Sequence, residues 1–214
     1  MKKGNLKLNN TAMVYVSTFD LDLVVGDVEP AIRNDMIQCC TDMLTRQQRY
    51  CVWKLLDIAL LDCYGKGVKD FNLYINDNGK WMCDEGVYFS LSHCNNVVTV
   101  AVCNHAVGVD VEAVSNFTRH IQDDRFVKRV LTDSEQLLLR DSPAQLKAEA
   151  FAEMWTKKEA LFKLHGDANF VPKSADTTTT KTHSQLLTIN KEKYALSVAT
   201  HIPVTIELAQ VKIQ

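Results

Sequence analysis

The stretch Val87-Tyr88-Phe89-Ser90-Leu91-Ser92-His93-Cys94-Asn95-Asn96-Val97-Val98-Thr99-Val100-Ala101-Val102-Cys103-Asn104-His105-Ala106-Val107-Gly108-Val109-Asp110-Val111-Glu112 decides how the chain is read. Val87 to Ser92 alternates, and Val97 to Val102 is strongly β-forming. Asn95-Asn96 and Asn104-His105 are turn signals. Three strands with short connections predict an antiparallel meander ending at Val111. Upstream, Thr11 to Phe19 reads as a strand and Ala31 to Cys40 as a short helix. Tyr50, Trp53, Leu56, Leu60 and Tyr64 follow helical spacing and predict a long helix over 45–64, stopped at Gly65-Lys66-Gly67. Phe71 to Ile75 reads as a strand and Asn76 to Gly79 as a turn. Downstream, Thr132 with Glu135 three residues on forms a capping box. A second long helix runs from Ser142-Pro143 to about Leu164, with Gly166 beyond it. Asp176 to Ser184 reads as an exposed loop. Leu186–Ile189 and Tyr194–Ala199 read as a hairpin, and Val204 to Leu208 as a last strand.

This order predicts an α+β fold of two similar halves, residues 1–104 and 105–214. Each half carries a small antiparallel sheet and a long helix, with the site in a cleft between them. The chain has 214 residues, 46 % hydrophobic and 23 % charged, with a net charge of −2. That balance gives no sign of wholesale nucleic-acid or membrane binding. Lys2 and Lys3 are followed by a polar run and not by the apolar centre of a signal peptide. The seven cysteines are scattered, with no Cys-x-x-Cys pair. They read as small apolar residues of a reducing, cytoplasmic protein.

On a strand, Asp110 and Glu112 share one face while Val109 and Val111 take the other. They are either a wetted strand end or part of an oxygen-rich site. On the second long helix, Trp155, Lys158, Glu159, Phe162 and Lys163 crowd one side. Glu159 reaching Asp110 and Glu112 would complete a set suited to magnesium, with Lys158 and Lys163 beside it for phosphate. Ser92-His93 ends a strand beside a turn and fits phosphate better than zinc, because no second ligand pair has the right spacing.

Ser92-His93, Gly108-Val109-Asp110-Val111-Glu112 and Trp155-Thr156-Lys157-Lys158-Glu159-Ala160-Leu161-Phe162-Lys163 occur in this order. Together they resemble the 4′-phosphopantetheinyl transferase superfamily, in its two-half surfactin-synthetase type. The resemblance implies transfer of phosphopantetheine from CoA to a carrier-protein serine, releasing adenosine 3′,5′-bisphosphate. It implies magnesium or manganese on Asp110, Glu112 and Glu159. It also implies CoA contacts from Arg49, Lys80, Ser92, His93, Lys158 and Lys163. Glu159 or Glu135 would take the serine proton, and Lys163 would serve the leaving oxygen. The expected partners are CoA and an acidic apo carrier, met by Arg125, Lys128 and Arg129 unless these are a solvated run. No second copy is needed to complete the site. Trp81 departs from the family's proline, and Ala168-Asn169 from its glycine and leucine. A non-catalytic CoA binder and a metal-dependent CoA phosphodiesterase are the alternatives.

Overall fold

A computed structural model describes Leu8 and residues 10–213. The basic start at residues 1–7 lies outside the described residues. The elements are β1 (Thr11–Thr18), α1 (Ala31–Gln38), α2 (Met43–Tyr64), β2 (Leu73–Ile75), β3 (Trp81–Cys83), β4 (Tyr88–Cys94), β5 (Val97–Cys103) and β6 (Val107–Ala113). They continue with α3 (Asp124–Val130), α4 (Asp133–Asp141), α5 (Lys147–His165), β7 (Thr182–Ile189), β8 (Glu192–Thr200) and β9 (Thr205–Gln210). The architecture is α+β, and no helix among the described residues is long and apolar enough to cross a membrane.

Two compact units emerge. The first holds the described residues up to Val107 together with those from His201 onward. Its sheet has the order β4-β5-β1-β9. α2 packs on this sheet through Val52, Trp53, Leu56 and Leu60, which meet Tyr15, Val98 and Val100 in one buried core. Each such side chain contributes about 1.5–3 kcal/mol on burial. Asp42 caps α2 by accepting from the Thr45 amide at 2.7 Å, and Gly65 closes it with φ 66°. That positive φ suits glycine, which lacks the Cβ that opposes it. β9 runs parallel to β1, Thr11 opposite Thr205. The last strand thus lies in the first unit's sheet, whereas the sequence reading assigned it to the second half.

The second unit spans Gly108–Thr200. Its sheet has the order β6-β8-β7. The meander prediction fails at its third strand: β5 takes β1 as its other neighbour, and β6 heads this separate sheet. β7 and β8 form the expected hairpin around Asn190 and Lys191, with φ of 50° and 69°. Two consecutive positive φ values match the right-handed twist of the strands. β7 begins at Thr182, so the Thr-rich loop is shorter than its composition suggests. α5 lies along β8, where Thr156 and Ser197 exchange a fully buried hydroxyl hydrogen bond of 2.7 Å. Phe117, Val130, Leu131, Leu139, Phe151 and Ala195 fill this unit's core.

Gly108 fixes how β6 meets α5. A Cβ there would lie 1.9 Å from the Ala160 carbonyl oxygen and 2.6 Å from the Leu164 amide nitrogen. Both atoms are helix backbone and cannot swing aside. Gly108→Ala is therefore expected to destabilise the unit by about 3 kcal/mol or more, measured by chemical denaturation. A loss under 1 kcal/mol would show that β6 can withdraw from α5 freely.

Candidate active site

The close approach at Gly108 sets the next residues of β6 beside the last turns of α5. Val109 and Val111 are fully buried, as their alternation predicts. Asp110 is buried too, only 3 % exposed, so it is not a wetted strand end. The Lys163 ammonium donates to its Oδ1 at 2.8 Å. Glu112 lies one step further along the strand and accepts from Asn116 Nδ2 at 3.3 Å. Glu159 sits one helical turn before Lys163.

Glu159 carries the clearest electrostatic signature in the unit. Burial, then the charge of Asp110, pushes its carboxyl up to about 7, with Glu112 adding and Lys163 opposing. Asp110 and Glu112 thus both act on Glu159 in the same direction. Trp155 and Phe162 flank Glu159 on the same helical face, at four residues before and three after. Phe170 bridges their rings, with centroids at 5.6 and 5.2 Å.

Among the described residues, no three carboxylate, histidine or cysteine side chains converge into a ready metal cage. The donor set nonetheless fits a hard divalent cation. It offers only oxygen ligands, which magnesium and manganese accept. The Glu159 carboxyl is raised first by burial and then by Asp110 and Glu112, and a cation would offset both.

Glu135 and Lys158 stand apart from this group, contrary to expectation. Their side chains are fully buried against each other, Nζ to Oε2 at 2.8 Å. Lys158 donates further to the carbonyls of Pro172 and Ala175. Glu135 accepts from the Thr132 amide at 2.7 Å, closing the capping box. It also accepts from the amide and hydroxyl of Thr177 at 2.9 and 2.7 Å. Burial would raise the Glu135 carboxyl, but the Lys158 ammonium and the Thr177 and Thr132 donors outweigh it and hold it below the usual range. The pair is a knot joining α4, α5 and the 171–177 loop. It leaves Lys158 no proton for phosphate and Glu135 no open lone pair for a serine.

In the first unit, Arg49 on α2 donates to the Met36 carbonyl at 3.3 Å and meets Cys40 Sγ at 3.0 Å. Arg33 on α1, invisible as a site residue in the sequence, donates to the Arg49 carbonyl at 2.8 Å. Its guanidinium lies 4.8 Å from the Trp53 ring and 6.0 Å from Trp81. Trp81 itself packs on Trp53 at 4.7 Å, so this departure from the family pattern gives Arg33 an aromatic seat. Burial, then the Arg49 charge, lowers Arg33 to about 10, with Cys40 opposing. Neither Arg33 nor Arg49 pairs with a carboxylate among the described residues. Lys80 follows the turn closed by Gly79 and is half-buried, which lowers its ammonium pKa. Ser92 is buried and His93 half-buried at the end of β4. The one available signal for Arg33 was its i,i+4 pairing with buried Ile37 on the inner face of α1. On α3, Arg125, Lys128 and Arg129 are all exposed.

Residues 106–206 match the family model of the 4′-phosphopantetheinyl transferase superfamily. The matched segment holds Asp110, Glu112, Glu135, Lys158, Glu159 and Lys163. A curated relative, the 4′-phosphopantetheinyl transferase gsp of Aneurinibacillus migulanus, is 29 % identical over 97 residues. The aligned stretch covers 45 % of this chain and 39 % of the relative. The chain thus spans about two-fifths of the length of the curated relative it matches.

Proposed function

We propose that the protein transfers 4′-phosphopantetheine from CoA to a serine hydroxyl of an apo carrier protein, releasing adenosine 3′,5′-bisphosphate. The observation that carries this reading is the charge-coupled trio Asp110, Glu112 and Glu159 within the superfamily segment. These three residues would hold the divalent ion. When bound, the ion supplies Lewis-acid polarisation of the pyrophosphate. Glu159 takes the serine proton, because a carboxylate kept ionised beside the ion can accept it as general base. Lys163, held by Asp110, serves the leaving phosphate oxygen. Arg49, Lys80, Ser92 and His93 form the binding set for the CoA nucleotide, and Arg33 joins them. Support for this comes from two arginines that lack carboxylate partners and hold each other's charge close. We also read the two units as related halves. Each packs one long helix on antiparallel strands and ends that helix at a left-handed glycine, Gly65 or Gly166.

The test is to incubate the protein with CoA, magnesium and an apo carrier, then weigh the carrier. A phosphopantetheine increment is expected, and Asp110→Ala should lower its rate by about 100-fold or more. CoA cleavage with an unmodified carrier would replace the transferase reading with a phosphodiesterase. CoA binding without either product would leave a binder.

A further inference from the structure

Five of the seven cysteines are buried; Cys39 and Cys40, at the end of α1, are not. The two neighbours differ in their surroundings. Cys39 is exposed, and its thiol faces only the Met36 carbonyl at 3.5 Å. Cys40 is half-buried, with its sulfur 3.3 Å from the same carbonyl and 3.0 Å from the Arg49 guanidinium. Arg33 is near enough for its charge to respond to Cys40. Arg46 lies one turn before Arg49 on α2 and is held by Gln38 Oε1.

This cluster has more cationic hydrogen-bonding capacity than its surroundings absorb. Arg33 is 6 % exposed, and its Nε meets no hydrogen-bond partner. Buried Nε of Arg46 is in the same position. A buried guanidinium N–H without a partner costs free energy that an anionic guest would recover. The nearby Asp42 carboxylate is occupied in capping α2. A half-buried thiol thus lies against the Arg49 guanidinium in an arginine cluster suited to an anion.

We propose that Cys40 is a site of mixed-disulfide modification by anionic low-molecular-weight disulfides, which the Arg33, Arg46 and Arg49 cluster gathers. Cys40 gives its proton to solvent, and its sulfur attacks one sulfur of the disulfide. The S–S bond breaks, and one half leaves as a thiolate that takes up a proton. Cys40 is oxidised to the mixed disulfide, and the departing half is reduced. The retained half brings its carboxylates against the guanidinium groups. Since Arg49 and Arg33 are also placed at the CoA nucleotide, the adduct blocks CoA; that consequence rests on the proposed function.

The probe is oxidised glutathione, with the cationic disulfide cystamine as the charge control, each incubated with the full chain and mapped by peptide mass spectrometry. One glutathione adduct on Cys40 is expected, forming about 10-fold faster than the cystamine adduct. Cys39→Ser should keep it, and Arg49→Gln should bring the two disulfides close to equal rates. Modification of Cys39 instead, an equal or faster reaction with cystamine, or closure to a Cys39–Cys40 disulfide without retained glutathione would overturn the proposal. A Cys40 adduct that leaves CoA affinity unchanged would support the modification site and move CoA away from Arg49. Weakened CoA binding that a thiol reductant restores would support both.

Discussion

Replacing Glu159 with glutamine is expected to slow phosphopantetheine transfer by about 10²- to 10⁴-fold. The size follows from two roles that one carboxylate would combine, proton acceptor and oxygen ligand. Glutamine keeps the volume and one acceptor oxygen but cannot take a proton. A second readout needs no turnover. In the metal-free protein the Glu159 carboxyl is held up to about 7, first by burial and then by Asp110. An ion bound there requires it ionised, so adding magnesium at pH 7 should release about half a proton per ion from Glu159. Glu159→Gln should abolish that release, measured with a pH indicator in weak buffer. A variant keeping a tenth of normal turnover would place the base elsewhere. Glu135, the other candidate in the sequence, is held differently. Its two oxygens already meet Lys158, Thr132 and Thr177.

Periodicity found both long helices, because their apolar stripes and terminal glycines are local signals. It found the hairpin at Asn190 for the same reason. It misplaced β6, because choosing a neighbour strand is a non-local decision. Alternation also missed the burial of Asp110, since it distinguishes two faces without saying what covers each. Here the cover is α5, admitted by the missing Cβ at Gly108. Lys158 and Glu159 are adjacent in sequence and were read as one charged patch. Successive helical residues are turned by about 100°, and that turn separates the fully buried Lys158 from the half-buried Glu159. Arg33 offers only its i,i+4 spacing to Ile37, which marks an inner helix face and not a site.

Lys158→Met separates the two readings of that lysine. If Lys158 ties the knot, the variant should lose about 3–5 kcal/mol in chemical denaturation, because it leaves the Glu135 charge buried without its counter-ion. The carbonyls of Pro172 and Ala175 would lose their donor as well. Adding Glu135→Gln should cost less than the sum of the single changes, since both residues act in one network. The pH dependence has a defined sign. The folded-state pKa of Glu135 is depressed, so its contribution is present above the unfolded carboxylate pKa of about 4.3. It fades as pH falls from there through the depressed value. Wild type should therefore lose this stability only in acid, and Glu135→Gln should flatten that part of the profile. If Lys158→Met instead unfolds like wild type but binds CoA weakly, the lysine serves phosphate as the resemblance implies. The burial of both side chains argues for the first outcome: an ammonium with no exposed surface, holding a carboxylate and two carbonyls, would have to break the α4–α5–loop junction to reach a ligand.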